Sequence, residues 1–412
     1  KNPSSKALLI YPTKALAQDQ KVNLDELLKA MNTKVNINIG VYDGDTPINE
    51  RNEIRRNASI ILTNPDMLNA TFLPNHCKYG FEKIFNNLSY IMLDELHVYR
   101  GAFGSHVANV IKRINRICNY HHSKPQFLCS SATIANPKEH AEELCMKEFK
   151  HINNDGSFFA GQNIIFYSVS ENTIDDIINQ VVQIAGDLVN NDVRSIIFCR
   201  NRRDVEVISK EIKYKLEKEN GTYNKSDQVS PYRAGYTPLE RREIENNLKN
   251  GKLLCVVSTN ALELGIDIGS LDVAIMAGFP GTKASFWQQA GRAGRRSGKS
   301  NIILMLTRYN PIENYISQNP NWLLDSSIEN ALINPSNLNI QKDHIRAAAY
   351  ENILTPDDIE CFPDLPVISN DLLSIGELES DGTNLFWSTK NNEYPSSDIS
   401  LRNISNERVD VV

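Results

Sequence analysis

The sequence lacks any long apolar segment. Its longest apolar runs, such as Ile302 to Leu306, fall far short of the ~18 consecutive residues that suggest a membrane span. No secretory signal peptide is visible, and none of the seven cysteines forms a C-x-x-C pair. Several cysteines lie inside strand-like apolar runs, so we interpret them as reduced core residues of a cytoplasmic protein that has no zinc site and no membrane partner.

A strongly basic charge balance is also missing, since the net charge is -6. Most of the negative charge lies in the tail from Thr355 to Val412, where twelve acidic and three basic residues give a net charge of -9. The first 354 residues therefore carry a net charge of +3. A mildly basic body with an acidic tail is compatible with binding to the phosphates of a nucleic acid.

Length and composition favour a globular protein of two or three domains. The chain has 412 residues, of which 41% are hydrophobic and 23% are charged, and a domain usually holds ~100 to 200 residues. Short β-rich runs alternate with longer helical patterns as far as Thr307, which is typical of parallel sheets covered by helices. The predicted strands begin near Ala7, Asn36, Ser59, Leu88, Gln126, Arg194, Val229, Leu253, Leu271 and Asn301.

This alternation is interrupted in two places. The stretch from Asn153 to Gln162 is weakly patterned and holds two glycines, and after Thr307 the chain becomes rich in Pro, Asn and Asp. No repeat of solenoid period is visible. We therefore predict an α/β protein with two tandem parallel-sheet domains, residues 1–168 and 169–311, followed by a smaller accessory unit, residues 312–412.

One acidic cluster follows directly after a predicted buried strand. Asp94-Glu95-Leu96-His97 comes after Tyr90-Ile91-Met92-Leu93, and in open α/β sheets ligands bind beyond the carboxyl ends of the strands. In phosphoryl-transfer enzymes an Asp in this position holds Mg²⁺, and a neighbouring acid can deprotonate the attacking water. Taken alone, the four residues could equally well solvate the end of a strand.

Six further short segments accompany this cluster along the chain. They are Pro12 to Leu16, Thr63 to Leu68, Ser131 to Thr133, Ile197 to Arg202, Ser258 to Gly269 and Gln288 to Arg296. With them the chain resembles the DEAD/DEAH-box helicases of superfamily two, in which these are motifs Ia, Ib, III, IV, V and VI and Asp94 to His97 is motif II. The resemblance implies two RecA-like domains that use ATP and Mg²⁺.

The resemblance also implies which residues handle the nucleotide. Asp94 would hold Mg²⁺, Glu95 would activate the water, and His97 belongs to the same catalytic motif. Arg292 and Arg295 are three residues apart, so on one helical face both could reach the triphosphate across a cleft, with Gln288 one turn earlier. Without its neighbours, the arginine pair would fit a solvated face or a DNA contact better. Two further nucleotide contacts, from motif V, would be Gly265 and Asp267.

A second set of residues would contact nucleic acid or couple the domains. Hydroxyls and backbone N–H groups at strand ends and first helical turns can hold successive phosphates of a single strand, although such residues are often plain helix caps. The predicted nucleic-acid contacts are Thr13, Lys14, Thr63, Asp66, Arg200, Ser258 and Thr259. In motif III, the resemblance implies that Ser131, Ala132 and Thr133 couple the domains, with the two hydroxyls bonded toward the loop from Asp94 to His97.

A phosphate-binding loop requires a preceding strand and a following helix. Ala293 to Ser300 matches the loop as letters, but it follows a predicted helix and precedes a predicted strand, so we reject it. Motif I precedes motif Ia in this superfamily, and the resemblance therefore implies that the true loop lies upstream of Lys1. We expect the 412-residue chain alone to hydrolyse ATP poorly or not at all.

Within the superfamily, the chain is similar to the mitomycin repair factor A group of RecQ-related DNA helicases. The segments that carry this similarity are Leu93 to Gly101, Leu262 to Gly269, Pro280 to Thr282, Trp287 to Arg292, Ala331 to Pro335 and His344 to Glu351. It implies 3′ to 5′ movement on single-stranded or tailed duplex DNA, in repair or in phage defence with other subunits, and a winged-helix-like tail. An RNA helicase and a scaffold subunit with a degenerate motor remain open alternatives.

Overall fold

The structure, a computed structural model, divides into two compact units. It describes residues 4–31, 37–154, 156, 161–169, 174–221, 225–233, 235–263, 268–269, 271–294, 301–388 and 394–403. The first unit comprises Lys1–Ile152 and Asn330–Val412, and the second comprises Asn153–Glu329. Within these described ranges, no helix has both the length and the apolar composition that a membrane crossing requires.

The first unit is built on a five-stranded parallel sheet with the order β2-β3-β1-β4-β5. Its strands are β1 (Lys6–Ile10), β2 (Ile39–Val41), β3 (Ile60–Thr63), β4 (Leu88–Leu93) and β5 (Gln126–Cys129). Apolar side chains of the central strands, such as Leu8, Ile61 and Ile91, are fully buried. Because all five strands are parallel, their carboxyl ends lie along one edge of the sheet.

Six helices accompany this sheet. They are α1 (Lys14–Met31), α2 (Ile48–Asn57), α3 (Pro65–Met67), α4 (Phe81–Asn86), α5 (Gly101–Tyr120) and α6 (Pro137–Cys145). In α5, fourteen of the twenty residues are buried, including the charged Lys112, Arg113 and Arg116. Charged side chains are almost never buried unless they are paired, so α5 must contact a second layer on the side away from the sheet.

The second unit holds a six-stranded parallel sheet with the order β6-β11-β10-β7-β9-β8. Its strands are β6 (Gln162–Ser168), β7 (Ser195–Phe198), β8 (Val229–Tyr232), β9 (Cys255–Ser258), β10 (Val273–Ala277) and β11 (Asn301–Thr307). Its helices are α7 (Ile174–Asn190), α8 (Arg202–Asn220), α9 (Pro238–Lys249), α10 (Lys283–Ala290), α11 (Pro311–Gln318) and α12 (Pro320–Leu324).

The remaining elements belong to the first unit and supply the second layer on α5. They are α13 (Leu338–Glu351), α14 (Leu365–Ser374) and the antiparallel pair β12 (Leu378–Ser380) and β13 (Leu385–Trp387). Arg113 forms a buried ion pair with Glu351, and Arg116 Nε lies 2.6 Å from Asp358 Oδ1. Removing one partner of such a buried pair would leave an uncompensated charge, so these pairs hold the tail on α5.

All ten predicted strands are present, each beginning within three residues of its predicted start. The prediction missed β6, an edge strand that pairs with β11 along its whole length. The predicted boundary at residue 168 is therefore wrong, because Gln162–Ser168 belongs to the second sheet and the second unit begins at Asn153. The predicted start of the accessory unit, residue 312, is also too early, since α11 and α12 belong to the second unit.

Candidate active site

The loops that carry the predicted motifs of the first unit meet at the carboxyl edge of its sheet. Backbone hydrogen bonds beyond the strand ends join neighbouring loops. Asp94 N donates to Ile10 O at 3.0 Å, Tyr11 N to Thr63 O at 2.9 Å, and Ser130 N to Leu93 O at 3.0 Å. Backbone hydrogen bonds thus join four separate segments at the predicted site.

Asp94 is fixed by two hydrogen bonds to the same carboxylate oxygen. The Ser130 hydroxyl donates to Asp94 Oδ1, and the backbone N–H of Glu95 donates to it at 2.9 Å. Among the described residues, the other oxygen, Oδ2, accepts no hydrogen bond. A carboxylate oxygen is the kind of ligand that Mg²⁺ prefers. The half-buried Asp94 therefore fits its predicted role of holding Mg²⁺ with a nucleotide.

Glu95 occupies an unusual backbone conformation. Its φ of 53° and ψ of 48° lie in the left-handed region, which is uncommon for a residue other than glycine and costs of order 1 to 3 kcal/mol. The surrounding loop supports it, since Leu96 N donates to Ser130 O at 2.9 Å. The Glu95 carboxylate is half-buried, and its Oε2 lies 3.5 Å from His97 Nδ1. Strain of this kind is typical of catalytic loops.

His97 links motif II to the loop after β5. The imidazole is 7% exposed, and its Nδ1 accepts a hydrogen bond from the backbone N–H of Ala132 at 3.2 Å. Burial, together with the smaller effects of the charges of Arg100 and His140, lowers the pKa of His97 to about 4. His97 is therefore neutral near pH 7, with its proton on Nε2 and a lone pair on Nδ1 for the Ala132 N–H.

The hydroxyls of motif III do not make the predicted contacts. Ser131 is exposed, and its hydroxyl donates to the adjacent Ala132 carbonyl at 2.7 Å. Thr133 is exposed too, and its hydroxyl makes no hydrogen bond within the described parts of the chain. The expected bonds from Ser131 and Thr133 are therefore wrong, because Ser130 and the Ala132 N–H occupy those positions on the Asp94 to His97 loop. Ala132 alone keeps a direct contact.

Protonation of His97 gives a testable dependence of stability on pH. Because its folded pKa lies below the unfolded value near 6.5, the unfolded chain takes up the proton first as the pH falls from 6.5 toward 4. This uptake should lower the free energy of unfolding by about 2 kcal/mol between pH 7 and pH 5. We expect His97→Asn, whose amide oxygen can accept the Ala132 N–H, to remove that part of the loss.

Thermal melting at pH 7 and pH 5 measures this effect. The exposed His122 provides the matched control, and His122→Asn should melt like the wild type at both pH values. An equal loss of stability in His97→Asn and the wild type on acidification would contradict the assignment of a neutral, buried His97.

The predicted nucleic-acid contacts of the first unit have different surroundings. Thr13 Oγ1 accepts the Leu16 N–H at 3.3 Å, as a helix cap does, and Lys14 Nζ lies 2.9 Å from Asp45 Oδ1. Asp66 pairs with Arg402 at 3.1 Å. These three residues are half-buried or exposed.

Thr63 does not fit its predicted role. It is fully buried, and its hydroxyl donates to the Tyr42 carbonyl at 2.8 Å. The predicted contact of the Thr63 side chain with nucleic acid is therefore wrong. The side chain instead makes an internal hydrogen bond that joins the ends of β2 and β3.

Three predicted contacts lie at the carboxyl edge of the second sheet. Arg200 follows β7, and its half-exposed side chain lies 4.0 Å from Glu313 Oε1. Thr259 Oγ1 accepts the Ala261 N–H at 3.4 Å. Ser258 ends β9 and is fully buried. Its hydroxyl is therefore not placed to contact nucleic acid, and that prediction is also wrong.

Arg292 of motif VI lies beyond the end of helix α10. Helix α10 ends at Ala290, and Gly294 adopts a φ of +86°, a conformation that no α-helix contains. Arg292 is therefore in the turn after α10, and the predicted helical face shared by Gln288 and Arg292 is wrong. The two glycines of this segment, Gly291 and Gly294, favour a turn because glycine is a poor helix former.

A buried polar cluster holds this turn. Arg292 is 4% exposed, and its Nη2 donates to the Glu263 carbonyl at 2.6 Å. Gln289 Nε2 donates to Glu263 Oε2 at 3.2 Å, and both of these side chains are buried. Gln288, the predicted residue next to Gln289, is half-buried. Sequence reasoning missed Glu263 and Gln289, although Glu263 lies inside motif V and Gln289 inside motif VI.

Several predictions fall on residues that the structure does not describe. Gly265, Asp267 and Arg295 lie outside the described residues. The rejected phosphate-loop match, Ala293 to Ser300, is described only at its start, but its flanks are α10 and β11. Its predicted setting, after a helix and before a strand, is confirmed, and this order is the reverse of what a phosphate loop requires.

Comparison with known proteins gives consistent matches. Residues 1–140 match the DEAD/DEAH box helicase family, and residues 164–297 match the helicase conserved C-terminal domain. The chain is 44% identical over 99% of its length to "Uncharacterized ATP-dependent helicase YprA" of Bacillus subtilis, of which it covers 54%. It is 38% identical over 85% of its length to ATP-dependent helicase HRQ1 of Saccharomyces cerevisiae, of which it covers 33%.

A solved structure extends the likeness to three dimensions. The DUF1998 helicase MrfA bound to DNA and AMPPNP matches with a TM-score of 0.88 and 42% identity, over 97% of this chain and 55% of that one. The chain thus spans about half the length of MrfA and YprA, and a third of HRQ1.

Proposed function

Because the chain belongs to the DEAD/DEAH-box helicases of superfamily two, we propose that it forms the motor core of an ATP-dependent DNA helicase that moves 3′ to 5′ along single-stranded DNA. The observation that carries the proposal is the Asp94 to His97 loop. Ser130 and Ala132 bind this loop from the neighbouring strand end. One carboxylate is thereby oriented by donors, and a second is held in a strained conformation beside it.

The two acids would divide the chemistry of hydrolysis between them. Asp94 would use Oδ2 toward Mg²⁺, because its Oδ1 already accepts the Ser130 hydroxyl and the Glu95 N–H. Glu95 would orient the attacking water and accept its proton. When bound, the triphosphate would supply the electrophilic phosphorus, and Mg²⁺ would neutralise part of its negative charge. The neutral His97 would keep the loop after β5 in contact with this pair.

DNA is the proposed partner for two reasons. The relative MrfA is described as bound to DNA, and the candidate contacts of this chain suit a phosphate backbone. Thr13 and Lys14 stand at the start of α1, where hydroxyl, ammonium and N–H donors can hold phosphates. In the second unit, the half-exposed Arg200 offers a guanidinium group. Repair and phage defence with other subunits are both compatible with such a motor.

Unwinding by the full-length protein tests the proposal. We expect ATP-dependent unwinding of a duplex with a 3′ single-stranded DNA tail, little unwinding of the same duplex with a 5′ tail, and none with Glu95→Gln. A matched duplex made of RNA should be a poor substrate. Unwinding of the RNA duplex alone would favour an RNA helicase. DNA binding that ATP does not alter, with no unwinding of any substrate, would favour a scaffold subunit.

A further inference from the structure

Two histidines and a cysteine of the first unit meet away from the Asp94 loop. His76 and Cys77 lie between the turn that ends at Asn75 and helix α4, and His121 is the residue just after α5. His76 Nδ1 lies 2.9 Å from His121 Nε2, and Cys77 Sγ lies 3.3 Å from His76 Nδ1. These three possible ligand atoms all lie within 4.8 Å of one another.

The outer nitrogens of both imidazoles face oxygen acceptors. His76 Nε2 lies 2.8 Å from the Glu351 carbonyl oxygen, and His121 Nδ1 lies 2.8 Å from Asn86 Oδ1. The Glu351 carbonyl can only accept, so His76 Nε2 carries the proton and His76 Nδ1 carries a lone pair. With Asn86 Oδ1 as the acceptor, His121 Nδ1 likewise donates, and His121 Nε2 carries a lone pair. The two facing nitrogens, His76 Nδ1 and His121 Nε2, would both be acceptors at 2.9 Å, and a cation between them resolves this conflict.

We propose that His76, Cys77 and His121 form a binding site for a zinc-type transition-metal ion, with water as the fourth ligand. Nitrogen and thiolate are the ligands that Zn²⁺ prefers. Tetrahedral bonding would place two nitrogens about 3.3 Å apart and a nitrogen and a sulfur about 3.6 Å apart. The observed 2.9 Å and 3.3 Å are a few tenths of an ångström shorter, a difference that small rotations of the side chains can supply.

The surroundings also suit such an ion. Hydrogen bonds from the outer N–H of each ligand histidine to a carbonyl or carboxamide oxygen are the usual support for metal-binding imidazoles, and here Glu351 and Asn86 supply them. His76 is buried, His121 is half-buried and Cys77 is exposed, so an ion can enter from solvent. Among the described residues, no other group of three His, Cys, Asp or Glu side chains has this geometry.

The site would join three separate segments of the first unit. Cys77 and His76 belong to the chain before α4, His121 follows α5, and His76 is bonded to Glu351 at the end of α13. The ion would therefore strengthen the attachment of α13 to the sheet side of the unit. The sequence prediction of no zinc site relied on the missing C-x-x-C pair, and it could not detect ligands 45 residues apart.

Metal titration of the purified chain tests this proposal without any measurement of ATP turnover. After removal of metal with a chelator, Zn²⁺ is added, bound metal is measured by mass spectrometry, and affinity is measured by competition with a chelating dye. We expect one ion per chain. Cys77→Ser and His121→Gln should each weaken binding by about tenfold or more. With Co²⁺ in place of Zn²⁺, the thiolate charge-transfer band should be present in the wild type and absent in Cys77→Ser.

The matched controls are His122→Gln, next to the ligand His121, and Cys361→Ser. Both should bind the ion like the wild type. Asn86→Ala provides a second variant with an exposed side chain, and it should weaken binding by ~10-fold through the loss of support for His121. A chain that retains no ion in stoichiometric Zn²⁺, or binding that Cys77→Ser and His121→Gln both leave unchanged, would overturn the proposal. The histidines would then be a hydrogen-bonded pair only.

Discussion

Replacing Glu95 with Gln in the full-length protein is expected to stop ATP turnover while ATP and DNA binding remain intact. The amide has nearly the same shape as the carboxylate, so the left-handed loop conformation at this position and the hydrogen bonds of Asp94 should persist. The amide cannot accept the proton of the attacking water. Loss of a general base typically reduces a rate by ~10²-fold or more, and we expect a reduction of at least that size in DNA-stimulated turnover.

The control for this variant is Glu139→Gln, which removes an exposed carboxylate from the first turn of α6. It should hydrolyse ATP at the wild-type rate. Filter binding of labelled ATP and fluorescence anisotropy of a single-stranded DNA should give unchanged affinities for Glu95→Gln. A variant that keeps more than about a tenth of the wild-type rate would argue against Glu95 as the base.

Replacing Arg292 with Ala should have a still larger effect on turnover. Arginines that stabilise the charge of a transferring phosphoryl group contribute ~10³-fold or more to the rate, and we expect a loss of that size with little change in single-strand affinity. The Arg292 side chain is held in place, since its Nη2 donates to the Glu263 carbonyl at 2.6 Å. Arg292→Lys should rescue turnover only in part, because an ammonium group lacks the planar fork of donors.

A matched variant, Arg194→Ala, distinguishes a catalytic role of Arg292 from a structural one. Arg194 also donates to a backbone carbonyl of the same unit, that of Leu248, but it lies at the opposite end of the sheet, just before β7. Arg194→Ala should lower the melting temperature and leave the turnover of the folded enzyme unchanged. If Arg292→Ala weakens DNA binding while turnover at saturating DNA survives, the motif VI arginine is a phosphate clamp for nucleic acid, and its predicted place in the ATP site is wrong.

Much of the fold could be predicted because the pattern of a parallel sheet is local. Strand β10, for example, is a continuous apolar run buried on both faces, and residues that favour turns lie on either side of it. Strand β6 lies at the edge of its sheet, and its side chains are only half-buried or exposed. Its apolar run, Ile164 to Tyr167, directly follows the weakly patterned stretch from Asn153 to Gln162, and the prediction placed the whole region at the domain boundary.

The sequence also predicted which loops hold the site, but not which atoms bind within it. Asp94 and Glu95 follow a strand, so their place at the carboxyl edge was determined by topology alone. The partner of Asp94 is the Ser130 hydroxyl, one residue before the predicted Ser131. A shift of one residue reverses the side of a strand end on which a side chain lies, and only the register of β5 on β4 decides it.

The sequence by itself therefore determined the α/β class, ten of the strands and the edge at which Asp94, Glu95 and the Thr13 loop meet, because these follow from periodicity and from the direction of parallel strands. Only the tertiary structure decided the hydrogen-bond partners, the burial of Thr63 and Ser258, and the turn that holds Arg292. It also decided the attachment of α13 to α5 and the meeting of His76 with His121. Such contacts join residues far apart in the chain, and their energies depend on packing and desolvation that no local pattern records.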